Sequence, residues 1–431
     1  MIINFSVQNY GSIKDKQTLS FEADKSTHLE DYYVIHTNGL RLLKLGLIYG
    51  ANASGKTTIL KALDFLRTLV LNPKIKKTEF FDFEPFEFDE NTPLQNTIFE
   101  IEFIQDKMRY LYEIELNKNA IVSEELYSYN PKKSNVFKRT TNLENQVAEI
   151  KFGNKIKVEK IATEVLGSNT LWNNTVLGGF LKTNFESKEL KNVIDWFKNY
   201  LQQLIVPHKD LSDFTSSRIV ESEIQKNIVI DILKKADFNI SNIIIKDKEY
   251  DYSIVGNLDL EDQKALLRWK EIMQSMSSKE IKFEHTINEK RYVLEFENES
   301  QGTQRYYGLA GILYLLIKNS TAFSIDELES SLHPDLFKHF LLSFILNSKK
   351  SQILATTHNI EILSNKDIFR NDAIWITDKD NDSCSTELYS LADFDTSVIR
   401  NTSSIYNAFR IGKLGGVPNL GDYFIDIEDE K

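Results

Sequence analysis

Hydrophobic and polar positions change their spacing several times along this 431-residue chain, and each spacing predicts an element. The first 25 residues alternate, which predicts two strands joined by a turn at Asn9–Ser12. A short apolar run, Leu42–Tyr49 (LLKLGLIY), predicts one buried strand of a mostly parallel sheet. From Ile59 to Leu71 a helical pattern follows, with Leu60, Leu63, Leu66 and Val70 on one face. Alternation returns over Asn96–Leu116 and predicts a hairpin turning at Asp106-Lys107. The middle of the chain reads as mostly helical: stretches 185–205, 217–237 and 261–276 are amphipathic, and Ile224, Ile228 and Ile232 repeat every four residues. A hairpin over 281–298 turns near Asn288, and strand-type text resumes at Ala322–Ile325, Gln352–Ala355 and Ala373–Thr377. No heptad pattern runs over several turns, and there is no internal repeat. The pattern implies an α/β chain, a parallel-sheet domain divided by a strand-and-helix insertion, with expected segments 1–120, 121–298 and 299–431.

The first strand-to-helix junction carries the strongest chemical signal. Residues 48–60 read IYGANASGKTTIL, so small residues crowd the place where glycine is costly for folding. Two glycines four apart, followed by Lys and Thr, match a phosphate-binding loop, and the required strand before and helix after are both predicted. Backbone N–H groups must face phosphate oxygens there, which demands small side chains, and the helix presents its positive end to the same charges. Gly50, Ala51, Asn52, Ala53, Ser54, Gly55, Lys56, Thr57 and Thr58 are therefore the expected ATP-binding block, with Lys56 on the β- and γ-phosphates and Thr57 on Mg²⁺. A glycine-rich turn that happens to precede a lysine is the plain alternative.

Three later stretches extend the site. TAFSIDELESSLHP (321–334) is an apolar strand ending at Asp326-Glu327; one carboxylate is expected near Mg²⁺ and the other on an attacking water. SQILATTHNIEIL (351–363) is another such strand, ending at Thr357-His358, which puts His358 where a γ-phosphate would lie in a parallel-sheet nucleotide site. In ESQGTQRYYGLAGILYLLI (299–317), Ser300, Gly302 and Thr303 are expected to cap a helix whose N-terminus can hold an anion; taken alone, simple capping is the favoured reading.

Taken in order, phosphate loop, Ser-x-Gly-Thr helix start, Asp-Glu strand and His strand resemble the ATP-binding-cassette ATPases of the SMC, RecF and overcoming-lysogenization-defect branch. The resemblance covers residues 1–60 and 299–365, and NYGSIKD looks like that family's first hairpin. It implies a P-loop ABC-type ATPase head in which Ser300, Gly302 and Thr303 bind the γ-phosphate of a nucleotide held by the opposite subunit, so that ATP drives a homo-oligomer of two or more copies. The signature here reads Ser300-Gln301-Gly302-Thr303-Gln304, with Gln and Thr where relatives carry Gly, and Gln95 is the candidate for the glutamine at the lobe junction. DELESSLHPDL, TTHNIEIL and YNAFRIGKLGGVPNL (406–420) look like the small ATPases of bacterial phage-defence and abortive-infection loci, such as the ATPase subunit of the PARIS system. That implies a sensor ATPase with a co-encoded effector nuclease. The alternatives are a nuclease acting itself on nucleic acid, or a nucleotide-sensing scaffold with little turnover.

Charge and composition narrow the partners. The net charge of −11 gives no broad basic footprint for nucleic acid, although 72–80 and 130–142 are locally basic and read as solvated loops. Asp378, Asp380 and Asp382 fail as a calcium loop, because Ser383 and Tyr389 occupy its glycine and closing glutamate positions; they read as the acidic turn of a hairpin. One cysteine, Cys384, allows no internal disulfide, and no apolar run spans a bilayer, so a cytoplasmic protein is expected.

Overall fold

Alternating residues in the N-terminal third build an antiparallel sheet, and continuous apolar runs build a mostly parallel one. The computed structural model describes residues 1–154, 158–207, 209–247, 279–365, 367–380, 382–394 and 404–418. The expected helix at 261–276 lies outside them. Along the chain the strands are β1 (Ile2–Gln8), β2 (Gln17–Ser20), β3 (Val34–Thr37), β4 (Leu40–Leu43), β5 (Leu45–Gly50), β6 (Thr97–Gln105), β7 (Met108–Leu116), β8 (Ile121–Tyr129) and β9 (Lys133–Asn142). They continue as β10 (Val147–Phe152), β11 (Asn242–Asp247), β12 (Lys279–Ile287), β13 (Lys290–Glu295), β14 (Ala322–Ile325), β15 (Gln352–Thr356), β16 (Ile374–Lys379) and β17 (Thr386–Ser390). The chain divides into two units: Met1–Val206 with Ser320–Leu328 and Lys349–Lys431, and Pro207–Asn319 with Glu329–Ser348.

In the first unit a seven-stranded antiparallel sheet runs β10-β9-β8-β7-β6-β1-β2. A five-stranded sheet runs β14-β15-β5-β16-β17, parallel except for the edge strand β17. All six residues of β5 are buried, as a central strand covered on both faces requires. The helix Lys56–Leu71 buries Leu60, Leu63, Leu66 and Val70, as their spacing predicts. Trp196 is fully buried and stacks on Phe103 with ring centroids 4.0 Å apart. Trp196→Ala is expected to cost the first unit about 3–5 kcal/mol, read by urea unfolding. An unshifted midpoint would show that the stack is not a stabilising core.

The second unit contains a three-stranded antiparallel sheet, β11-β12-β13, together with the helices Ser212–Val220, Glu223–Lys235, Gln301–Lys318 and Pro334–Asn347. Ser216 and Tyr307 share a buried hydrogen bond of 2.7 Å between two of these helices.

Several expectations change. The run Leu42–Tyr49 is two strands, not one. The chain breaks at Lys44, whose N–H donates to the Tyr33 carbonyl and whose carbonyl accepts from Ile353 N–H, so β4 pairs with β3 while β5 enters the parallel sheet. Stretch 217–237 is also two elements, because Ser222 caps a new helix by accepting from Gln225 N–H. In 185–205 the helical part ends at Tyr200, and Leu201 and Ile205 then bridge in parallel to Ala322 and Ile325. The span 121–298, expected to be mostly helical, carries six strands among its described residues, β8 to β13. The basic stretch 130–142, expected as a loop, lies mostly in β9. The hairpins at Asp106-Lys107 and Asn288-Glu289 form as expected, with positive φ at both residues of each turn.

Candidate functional site

The candidate nucleotide site lies within the first unit, where β5 hands over to the helix Lys56–Leu71. Gly55 adopts φ 98°, and a Cβ there would fall 2.1 Å from Thr386 Oγ1 and 2.8 Å from Ser12 Oγ, so only glycine closes the loop. A Cβ on Gly50 would meet Thr377 Oγ1 at 2.4 Å and Ser54 Oγ at 2.5 Å. The answer to the crowding of small residues is therefore partly internal: the loop is clasped by neighbouring strands. Ser54 Oγ bonds Thr377 Oγ1 at 2.6 Å, Thr386 Oγ1 donates to the Ser54 carbonyl at 3.0 Å, and Ser12 Oγ lies 3.1 Å from Thr58 Oγ1.

Lys56 is buried, and its ammonium donates to the carbonyls of Gly50 at 2.9 Å and Ala51 at 3.0 Å. The positive charge is thus held over the loop. Thr57 Oγ1 donates to both carboxylate oxygens of Asp326 at 3.1 Å. Asp326 is in turn fixed by Thr356, whose hydroxyl donates to Oδ1 at 2.6 Å and accepts from Glu327 N–H at 2.7 Å. One threonine therefore sets the spacing of both acidic residues.

Glu327 follows β14 with φ 45°, a backbone conformation that is strained for a non-glycine residue and swings its carboxylate off the strand. Its Oε1 lies 3.8 Å from His358 Nε2, and both side chains are about half exposed, at 44% and 41%. A buried carboxylate thus lies beside Thr57, and a half-exposed one beside a histidine.

The residues present fit Mg²⁺. A threonine hydroxyl and a buried carboxylate are hard oxygen donors, and Mg²⁺ takes one or two such ligands with the remainder from substrate phosphates and water. Among the described residues no group of three His, Cys, Asp or Glu could hold a metal by itself. Thr57 and Asp326 would hold it, and its charge would offset that of the phosphates.

Ser300, Gly302 and Thr303 belong to the second unit and form a cluster of their own there. Ser300 caps the helix Gln301–Lys318, its Oγ accepting from Thr303 N–H at 3.1 Å and lying 2.8 Å from Thr303 Oγ1. Gln304 Nε2 donates to the carbonyls of Phe296 and Glu299, which pins the segment entering the helix. Gln95 is exposed and ends the short turn Thr92–Leu94, its carbonyl accepting from Asn9 Nδ2 at 2.9 Å. Asp378, expected in the turn, lies within β16 opposite Glu387, whereas Asp380 opens the β16–β17 turn and its Oδ1 accepts from Ser383 N–H and Oγ at 2.7 Å. Sequence reasoning passes over Thr356, Thr377, Thr386 and Ser12. The only signal for them is a hydroxyl in a strand or turn, and that is too common to select them.

The family described as "AAA domain, putative AbiEii toxin, Type IV TA system" matches residues 47–364. The chain belongs to that family, and the matched AAA domain takes in residues of both units. Solved structures with a similar arrangement include the SMC head domain from Thermotoga maritima, 12% identical with a TM-score of 0.40, covering 90% of this chain and 98% of that one. Another is an Smc head bound to the C-terminal winged-helix domain of ScpA, 13% identical with a TM-score of 0.42, covering 90% and 97%. A third is the Smc head domain with an extended coiled coil bound to the C-terminal domain of ScpA, derived from Pyrococcus furiosus, 12% identical with a TM-score of 0.41, covering 96% and 98%. No curated protein matches the chain. No helix among the described residues is long and apolar enough to cross a membrane.

Proposed function

We propose that the chain binds ATP with Mg²⁺ and hydrolyses it to drive a conformational and oligomeric switch. The observation that carries this reading is the Thr356 node: one hydroxyl holds Asp326 beside Thr57 and fixes the backbone of Glu327 next to His358. Glu327 is the general base for water, Asp326 the ion-holding carboxylate and His358 the polar partner at the terminal phosphate. The capped cluster Ser300, Gly302 and Thr303 supports a trans role, in which it engages nucleotide bound by a second copy of the chain.

The wider role we infer is that of a sensor ATPase in a bacterial anti-phage locus, acting in the cytoplasm and controlling a separately encoded effector nuclease. Support comes from the family description, which names an AbiEii toxin and a Type IV TA system, and from the resemblance of the Asp-Glu and His strands to defence ATPases. A second reading, in which the chain itself attacks nucleic acid, draws on the same mention of a toxin.

The two readings separate in one experiment. Purified chain is incubated with duplex DNA, single strands and tRNA, with Mg²⁺ or Mn²⁺, with and without ATP. No cleavage is expected from the chain alone, and cleavage is expected once the co-encoded partner is added. Cleavage by the chain alone that disappears in an Asp378→Ala/Asp380→Ala variant would replace the switch reading with the nuclease.

A further inference from the structure

The tail segment 404–418 rests against the entrance of the phosphate loop. A Cβ on Gly416 would lie 3.3 Å from the Cα of Gly50 and 3.3 Å from the Thr377 carbonyl, so the two backbones touch. Tyr389 donates its hydroxyl to the Leu414 carbonyl at 2.9 Å, and the Phe409 ring packs edge-on against Tyr49 at 6.0 Å. The tail is thus fixed by β17, by the end of β5 and by the loop itself. All of these groups belong to the first unit.

Between tail and loop lies a cavity of about 710 Å³, whose lining includes Asn52, His358, Phe409 and Arg410. That volume is of the size that holds small ligands. Arg410 occupies the last turn of the helix Ile405–Arg410, is exposed, and has no carboxylate partner among the described residues. A cation without a partner on a surface is ordinary. Here it shares a cavity with the phosphate loop and with the histidine 3.8 Å from Glu327.

We propose that Arg410 engages the terminal phosphate of ATP bound by its own chain, as the site's second permanent cation beside Lys56. This rests on the ATPase reading above. A guanidinium presents a planar fork of donors that matches phosphate oxygens, and its charge persists at any working pH. In hydrolysis the water oxygen bonds to the terminal phosphorus, the bond to the bridging oxygen breaks, and the water proton passes to Glu327. Arg410 offsets the charge carried by the phosphoryl oxygens as ADP and phosphate separate, a task for which one arginine can supply a large acceleration. The tail would then report on the nucleotide directly, because the residue that reads the terminal phosphate sits on it.

The test is the preference for ATP over ADP, measured by calorimetry on the full chain, together with turnover at saturating ATP. In Arg410→Ala the ATP affinity is expected to fall about 10-fold or more while ADP affinity stays within about twofold, since ADP lacks the phosphate in question. Turnover is expected to fall on the order of 10³-fold. Lys413→Ala, at an exposed residue that does not itself line the cavity, is expected to match the wild type. An Arg410→Ala protein with wild-type melting and an unchanged ATP-to-ADP preference overturns the assignment and leaves the ATP site standing. Equal loss of both nucleotides also overturns it, because the residue would then be shaping the loop. Wild-type protein that binds neither nucleotide removes the ATPase reading and this one together.

Discussion

Lys56→Ala is expected to weaken ATP binding about a hundredfold or more. The ammonium is held at 2.9 Å and 3.0 Å by two carbonyls of the loop, so it is already positioned over the cradle that would receive phosphate. Hydrogen bonds to charged groups are worth about 1.5–3 kcal/mol each, and each 1.4 kcal/mol is tenfold in affinity, so losing two bonds from the ammonium to phosphate oxygens gives that scale. Alanine also removes the cation that the Gly50 and Ala51 carbonyls now hold. Titration calorimetry with ATP reads the effect directly, and undiminished affinity in the variant would remove the phosphate-loop assignment.

Glu327→Gln is expected to keep ATP binding and lower turnover by about 10²- to 10⁴-fold, the range general-base catalysis supplies. The exchange preserves shape: glutamine meets the same φ of 45° that the backbone already imposes, and the Thr356 bond to the N–H is untouched. What disappears is the ability to take a proton from water. If Ser300, Gly302 and Thr303 act on the nucleotide of a second copy, this variant collects in a larger ATP-dependent species. Adding Gly302→Asp should dissolve it, since a carboxylate would stand at the helix N-terminus where the phosphate is to bind. Identical sedimentation with and without ATP would count against the shared nucleotide, and full turnover in Glu327→Gln would free Glu327 of its role.

The parts of this site that sequence makes legible are those whose chemistry needs a fixed local spacing. The loop from Gly50 to Thr58, the Asp326-Glu327 pair and the Ser300 cap are each contained within a few consecutive residues, and one strand or helix end suffices to place them. The parts it hides are of two kinds. Lys44 is a single charged residue inside an eight-residue run that is otherwise apolar, too brief an interruption to mark a boundary, so two strands in different sheets read as one. Strands β8 to β10 carry charged and polar residues at many positions, and two of their charged residues, Glu124 and Arg139, are fully buried against expectation. The second kind is long-range. Gly416 meets Gly50, and Thr377 and Thr386 clasp Ser54, across more than three hundred residues; no local pattern announces such pairings.

The chain path around β14 has a mechanical consequence. Ser320–Leu328, the nine residues carrying Asp326 and Glu327, are first-unit chain spliced between two second-unit segments, whereas β5 and its loop are flanked on both sides by first-unit chain. Tension or torsion applied to the second unit therefore travels along covalent backbone into the acidic strand from both ends, before it reaches the loop that holds Lys56. What resists it is the parallel register of β14 on β15 and the bonds from Ile205 N–H to Ser324 and from Asp326 N–H to Ile205. The acidic pair is wired as the point of strain, and the loop as its anchor.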